Sequence, residues 1–260
     1  MTWESRRKIL YSSIVLTICA FLIFLFVYPY LVKAPTCTDN KQNGTETGID
    51  CGGSCLKMCT FQVDEISVLW SKSFKVVDGR YNAVAYLENH NKNAVVNKLH
   101  YRFRIADKDN IYIASREGYT YVPPSGKFAV FEPAIGVGNS VPVYTTFEFL
   151  EMPVWLAVSQ DKIEQLKVNV DQIFLENENS FPKLKAVIEN DSLFKIPDVN
   201  IIVILYDASG EAISASKTYL NFLYKKTSQD IVFTWPEPFS SKIVNKEIIP
   251  IYNIFYASLN

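Results

Sequence analysis

The chain reads as a mainly β protein carried on one membrane helix, followed by a short disulfide module and two tandem antiparallel β-sandwich domains. Three observations predict this. An uncharged apolar run fills residues 9–32, and four of the five cysteines crowd into residues 37–59. From residue 61 onward, apolar and polar residues alternate in short runs broken by turn formers. The expected boundaries are 1–8 for a cytoplasmic stub, 9–32 for the transmembrane helix and 35–60 for the disulfide module. The two β domains are expected at 61–160 and 161–260.

The run ILYSSIVLTICAFLIFLFVYPYLV is long enough to span a bilayer core, which takes roughly 20 apolar residues at about 1.5 Å rise each. Its polar members Ser12, Ser13 and Thr17 are small hydroxyls able to bond back to their own helix. Arg6, Arg7 and Lys8 precede the run, and Lys33 is the one charge just after it. Positive residues stay on the cytoplasmic side, so residues 34–260 are expected outside. Trp3, Tyr28 and Tyr30 lie where an interfacial aromatic belt falls. A cleaved signal peptide is the competing reading. Its apolar region is usually about 7–15 residues, and the small-residue site Val32-Lys33-Ala34 is followed by an obstructing Pro35. A lipoprotein would need a small residue before Cys19, where Ile18 stands.

Net charge is −1. Arg6, Arg7, Lys8 and Lys33 against Glu4 leave residues 1–33 at +3, so the remainder carries −4. A mildly acidic ectodomain excludes the basic face that nucleic acid wants. The 15 Tyr and 17 Phe favour strands.

Cys37, Cys51, Cys55 and Cys59 sit in a polar, turn-rich segment containing Asn43-Gly44, Thr47-Gly48 and Gly52-Gly53. Such a segment cannot build a core, so cross-links must hold it. An even set of cysteines outside a membrane reads as a disulfide framework. Three connectivities are open; the crossed one, Cys37–Cys55 with Cys51–Cys59, is our expectation. Zinc fits less well, because three cysteines crowd one end instead of forming separated pairs. Calcium is the other metal considered, with Asp39, Asn43, Glu46 and Asp50 as oxygen ligands around a glycine turn. Lys41 stands where an EF-type loop wants an acid or amide. The plainer alternative is that these side chains cap backbone amides in a pinned turn.

The segment Cys37-Thr38-Asp39, then Gln42-Asn43-Gly44-Thr45-Glu46-Thr47-Gly48-Ile49-Asp50-Cys51-Gly52-Gly53, then Cys55 and Cys59, resembles a small extracellular disulfide module of bacterial and animal surface proteins. The gap from Cys55 to Cys59 is three residues where two are common. The resemblance implies a surface context and a stapled spacer, and no enzymatic activity.

Leu99, Tyr101, Phe103 and Ile105 alternate with His100, Arg102 and Arg104, a period of two that marks a half-buried strand. Other strands are expected at 62–69, 83–87, 111–114, 128–131 and 144–149. Asp107-Lys108-Asp109-Asn110 and Pro123-Pro124-Ser125-Gly126 mark turns. Residues 81–115 align without a gap on 182–216, placing Glu88-Asn89 on Glu189-Asn190 and Ala114-Ser115 on Ala215-Ser216. Phe131 meets Phe233 after one added residue. A shift of about 100 residues is one sandwich domain, so tandem Ig-like sandwiches are expected. The short helical stretch 159–166 falls between the copies.

Ala186-Val187-Ile188-Glu189-Asn190, Val199, Val203, Leu205-Tyr206-Asp207, Gly210 and Ile213 make the second copy similar to the FxLYD-type β domain of bacterial surface proteins. Ile204 stands where that family has Phe, and the first copy, with Ala106-Asp107, lacks the Tyr-Asp pair. The resemblance implies an accessory or recognition module.

No Gly-x-Ser-x-Gly elbow, His-Glu-x-x-His helix, P-loop or dinucleotide fingerprint occurs. The two histidines, His90 and His100, read as surface residues. The carboxylate pairs Asp64/Glu65 and Glu176/Glu178 read as solvated strand ends. No catalytic residue is assigned. Asn43-Gly44-Thr45 and Asn190-Asp191-Ser192 are glycosylation sequons. Gly118-Tyr119-Thr120-Tyr121 offers aromatics for a recognition edge, with core packing as the competing use of at least one. The expected function is binding or scaffolding at a membrane surface, with the bilayer and a protein or glycan as partners. The alternatives are a structural subunit of an envelope complex and an extracytoplasmic enzyme whose site is built from scattered residues.

Overall fold

The computed structural model describes residues 3–31 and 36–259. Residues 32–35, with Lys33 and the considered cleavage site, lie outside the described residues. The chain divides into two compact units, Met1–Cys55 and Leu56–Asn260.

In the first unit, helix α1 (Trp3–Leu31) begins with the charged residues Glu4, Arg6, Arg7 and Lys8 and carries no charge on any side thereafter. An all-round apolar helix needs a core or a bilayer to cover it. The stretch Leu10–Val27 is long and apolar enough to cross a membrane, and none of it is buried by protein. Two of its hydroxyls bond back into the helix as expected: Ser13 Oγ donates to Leu10 O and Thr17 Oγ1 to Ser13 O, each at 2.8 Å. Cys19 is free.

The second unit is antiparallel β throughout. Strands β1 (Ser67–Val77), β2 (Arg80–Asn89) and β5 (Gly126–Gly136) form one sheet in the order β1-β2-β5. Strands β3 (Ala94–Ala106), β4 (Tyr112–Val122) and β6 (Tyr144–Phe149) form a second in the order β4-β3-β6, and the short β7 (Trp155–Ala157) pairs with the start of β3. Helix α2 (Gln160–Gln165) follows, with Ser159 as its N-cap. Then β8 (Val168–Glu176), β9 (Lys183–Asn190) and β12 (Thr227–Thr234) pair as β12-β9-β8. Finally β10 (Ile196–Tyr206), β11 (Ala212–Leu223) and β13 (Asn245–Ile251) pair as β11-β10-β13. The second set of six strands thus takes the same order as the first.

The period-two reading of residues 99–105 corresponds to what is buried. Leu99, Tyr101, Phe103 and Ile105 enter the core, while Arg102 pairs with Glu148 at 2.7 Å and His100 lies 3.4 Å from Glu117 on the outer face. Phe103, Phe128 and Leu87 meet between the first two sheets, all wholly buried.

Strands β2 and β10 depart from alternation. Residues 83–87 of β2 and 201–205 of β10 are buried on both faces. The cause is that the outer faces of β1-β2-β5 and β11-β10-β13 pack on each other. Ile202, Ile204, Ile249 and Ile251 therefore share one apolar cluster with Val84, Tyr86 and Phe131, while Ile201, Val203 and Leu205 turn to the other core. Polar groups rim this contact: Lys72 meets Glu211 at 2.8 Å, and Asn82 Nδ2 donates to Ala215 O at 3.3 Å.

Asparagines pin the turns after β2 and β9. Asn89, wholly buried, donates to Ala94 O and Pro123 O at 3.0 and 2.7 Å and accepts from the Asn91 amide at 3.0 Å. Asn190, also wholly buried, donates to Phe194 O, Leu223 O and Tyr224 O and accepts from the Ser192 amide at 3.0 Å. The hairpins β3–β4 and β10–β11 also correspond. Asp107 Oδ1 accepts from the amides of Asp109 and Ile111, and Asp207 Oδ1 from those of Ser209 and Glu211. Asn110 at φ +60° and Gly210 at φ +81° take the left-handed position.

This corrects the gapless alignment by one residue. Asn89 and Asn190 are 101 apart, but Asp107 and Asp207 are 100 apart. The extra residue sits in the turn between β2 and β3: the Asn89 side chain bonds Ala94 O five positions on, whereas that of Asn190 bonds Phe194 O four positions on.

Candidate functional site

The disulfide segment is the first place where the sequence gathers candidates. Cys37 is bonded to Cys55, with Cα atoms 5.7 Å apart, and Cys51 and Cys59 are disulfide-bonded as well. The sulfurs of Cys37 and Cys55 lie near Glu46, but a disulfide offers no thiolate to a metal. Three of the four oxygen candidates for calcium, Asp39, Glu46 and Asp50, have their carboxylates engaged with the local chain. Asp50 accepts from the amides of Asp39 and Asn40 at 2.9 and 3.0 Å. Asp39 accepts from the Lys41 amide and from Asn43 Nδ2, and Glu46 from the Asn43 amide at 3.1 Å. Asn43 Oδ1 is buried without a protein partner. In this geometry the acids act as caps on a tight turn.

A second site is built from residues that are far apart in the chain. A cleft of about 420 Å³ opens between β3–β5 on one side and β10, β11 and the segment after β13 on the other. Aromatic rings form much of its wall: Tyr119 and Tyr121 from β4, Phe131 from β5, and Tyr252 and Tyr256 beyond β13. Tyr121 and Tyr119 are alternate residues of one strand. Tyr119 is 56% exposed at the rim, whereas Tyr121 is half-buried and receives the Ile254 amide at 3.4 Å.

The polar lining comprises amides and two lysines. Asn97, Asn200 and Asn253 line the cleft, with Asn253 Nδ2 donating to Asn97 Oδ1. Lys98 Nζ lies 3.9 Å above the Tyr119 ring, and Lys217 Nζ is 5.7 Å from the Phe131 ring. Such placements favour a cation electrostatically. Among the described residues, no carboxylate lies within ion-pair distance of either lysine. The cleft's one carboxylate, Asp198, accepts from the Tyr219 hydroxyl. Asp198 itself has φ +55° within β10, a conformation that costs a non-glycine residue about 1–2 kcal/mol.

Burial raises the Tyr121 hydroxyl well above the usual phenol range and pushes Tyr252 up to about 12. Both are therefore neutral donors at ordinary pH. Beneath the cleft, Tyr101 Oη donates to Glu132 Oε1 at 2.6 Å, and Gly118 leaves room for that pair, since a Cβ there would stand 2.5 Å from the hydroxyl.

Of these residues, the sequence singles out only Tyr119 and Tyr121, as an aromatic recognition edge or core. Tyr121 packs against both apolar clusters, and Tyr119 is exposed at the rim. His90 contacts Ser67 Oγ at 3.1 Å, and His100 stacks on Tyr119 with centroids 4.7 Å apart. Glu176 pairs with Lys185. Asn190, the second sequon, is wholly buried.

No family model and no curated protein matches the chain. Among solved structures it is similar to a red sea bream transglutaminase at 8% identity and TM-score 0.22, over 72% of this chain and 30% of that one. It is also similar to a β-glucuronidase of glycoside hydrolase family 2 at 9% identity and TM-score 0.22, over 84% of this chain and 28% of that one. The chain therefore spans less than a third of the length of either protein.

Proposed function

We propose that this chain is a single-pass, membrane-anchored extracytoplasmic binding or scaffolding protein with no catalysis of its own. Helix α1 anchors it with the N-terminus inside. The disulfide segment is a stapled spacer, and two tandem Ig-like sandwiches are presented outward as one body. The observation that carries this reading is α1: its side chains from Leu10 to Val27 are exposed, and in water each Leu, Ile, Val or Phe among them would forfeit about 1.5–3 kcal/mol of burial. A bilayer removes that penalty. The disulfides support an oxidising compartment, and the basic cluster Arg6-Arg7-Lys8 supports the orientation. A binding role is favoured over acid–base chemistry by a cleft of rings, amides and ammonium groups with one carboxylate already engaged by Tyr219.

The test is protease treatment of intact cells, with non-reducing mass spectrometry of the released and protected fragments. Release of a fragment covering residues 34–260, with its four cysteines oxidised, is the expected result. Protection of that fragment, or free thiols at Cys37, Cys51, Cys55 and Cys59, overturns the orientation.

A further inference from the structure

We propose that the cleft binds an acidic saccharide, a sugar chain bearing carboxylates, with Tyr256 as the stacking platform and Lys98 and Lys217 as the carboxylate-recognising cations. The proposal deepens the binding reading above and rests on it.

The lining chemistry selects the class. A pyranose ring presents an apolar C–H face and an edge of hydroxyls. Tyr256, 55% exposed at the rim, offers a flat apolar face, while Asn97 and Asn200 offer amide groups to an edge. An apolar ligand would strand these amides and the two ammonium groups in a dry contact, which costs roughly 1–3 kcal/mol per unpaired group. The volume of about 420 Å³ lies in the ordinary range of ligand sites, about 300–1,000 Å³.

Charge then separates acidic from neutral sugars. Lys98 and Lys217 reach the cleft with ring faces as partners and no carboxylate beside them. Asp198 is held by Tyr219, so its field is partly satisfied and the two cations dominate. The rings hold the ammonium groups without neutralising them, so a ligand carboxylate meets positive charge already in position.

The test uses the full chain in phosphatidylcholine nanodiscs, titrated calorimetrically with tetragalacturonate, with galacturonic acid, and with the neutral maltotetraose. Tetragalacturonate is expected to bind saturably, about tenfold or more tighter than maltotetraose, and more weakly as salt rises. The double variant Lys98→Gln/Lys217→Gln should lose that preference, and Tyr256→Ala should weaken both tetrasaccharides about tenfold. All three side chains are exposed, and an unchanged thermal midpoint verifies the fold. Equal binding of galacturonic acid and its tetramer indicates a free sugar acid as ligand; a requirement for the tetramer indicates a polymer. No saturable binding of tetragalacturonate, equal affinity for the two tetrasaccharides, or affinities untouched by the variants overturns the proposal. The nanodisc assay reads binding whichever side of a membrane the chain occupies, so its failure is distinct from a failure of the protease test.

Discussion

Tyr86 and Glu247 join the two pairs of sheets: the Tyr86 hydroxyl donates to Glu247 Oε1 at 2.5 Å, and Tyr206 donates to Oε2 of the same carboxylate at 2.8 Å. Tyr86 and Glu247 are 161 residues apart. The carboxylate is therefore a shared acceptor at a contact that is otherwise apolar. Glu247→Ala leaves two hydroxyls without an acceptor and should cost about 2–4 kcal/mol. The measurement is the urea midpoint, with an unchanged m-value showing that the same surface unfolds. A cost below about 0.5 kcal/mol would mean that water replaces the carboxylate and that the contact is not closed.

The same hydroxyls set the alkaline limit. Burial, then the neighbouring carboxylate, raises Tyr86 and Tyr206 through Glu247 and Tyr101 through Glu132; burial raises Tyr121 and takes Tyr252 to about 12. In the unfolded chain these phenols titrate near about 10. Each raised value favours the neutral folded form. The stability it contributes is complete below about pH 10 and is lost as pH climbs toward the folded value. Denaturation midpoints should hold steady up to about pH 10 and fall above it. Tyr86→Phe/Tyr206→Phe should make that fall shallower. Tyrosinate absorbance that rises fully while the fold remains intact would count against this account.

Asn89 and Asn190 should prove the least replaceable polar residues of the β unit. Each sends its amide into backbone carbonyls that have no water to turn to. Asn89→Ala and Asn190→Ala should each lower stability by about 2–4 kcal/mol, read from thermal unfolding. In a glycosylating host, Asn190 should stay unmodified in folded protein because its Nδ2 is buried. A glycan found there by mass spectrometry would show that modification precedes folding.

Two glycines with positive φ should differ sharply. Gly53 has φ +59°, and an added Cβ would stand 1.8 Å from the Thr45 carbonyl oxygen, a backbone atom. Gly53→Ala should disturb the segment that carries Cys51 and Cys55 and yield free thiols on non-reducing mass spectrometry. Gly210 has φ +81° with open space around it, so Gly210→Ala should cost only the backbone preference, about 1–2 kcal/mol. Equal effects at the two positions would refute the steric account of Gly53.

Much of this protein is written locally. The membrane-length helix needed only an unbroken apolar run. Alternation at 99–105 told which side of β3 enters the core, because a strand's side chains switch faces at every residue. The Glu-Asn pairs at 88–89 and 189–190 marked corresponding strand ends, and the turn residues at 107–110 and 207–210 closed corresponding hairpins. The one-residue slip between those landmarks was hidden, because a turn that is one residue longer after Asn89 leaves no trace in the alternation of the strands it joins.

What only the tertiary structure decided is the packing of one sheet pair on the other. Residues 83–87 and 201–205 are apolar without alternation, which says that both faces are covered but not by what. That packing brings Lys98 and Tyr119 to the same cleft as Asp198, Lys217 and Tyr252, which lie far along the chain. Each of these residues, taken alone, looks like an ordinary solvated side chain. Their common use depends on the packing of the two sheet pairs, in which the isoleucines of β10 and β13 share a cluster with Val84, Tyr86 and Phe131. Strand periodicity is a property of a few consecutive residues and can be read from them; a cleft between sheets is a property of the whole packed unit.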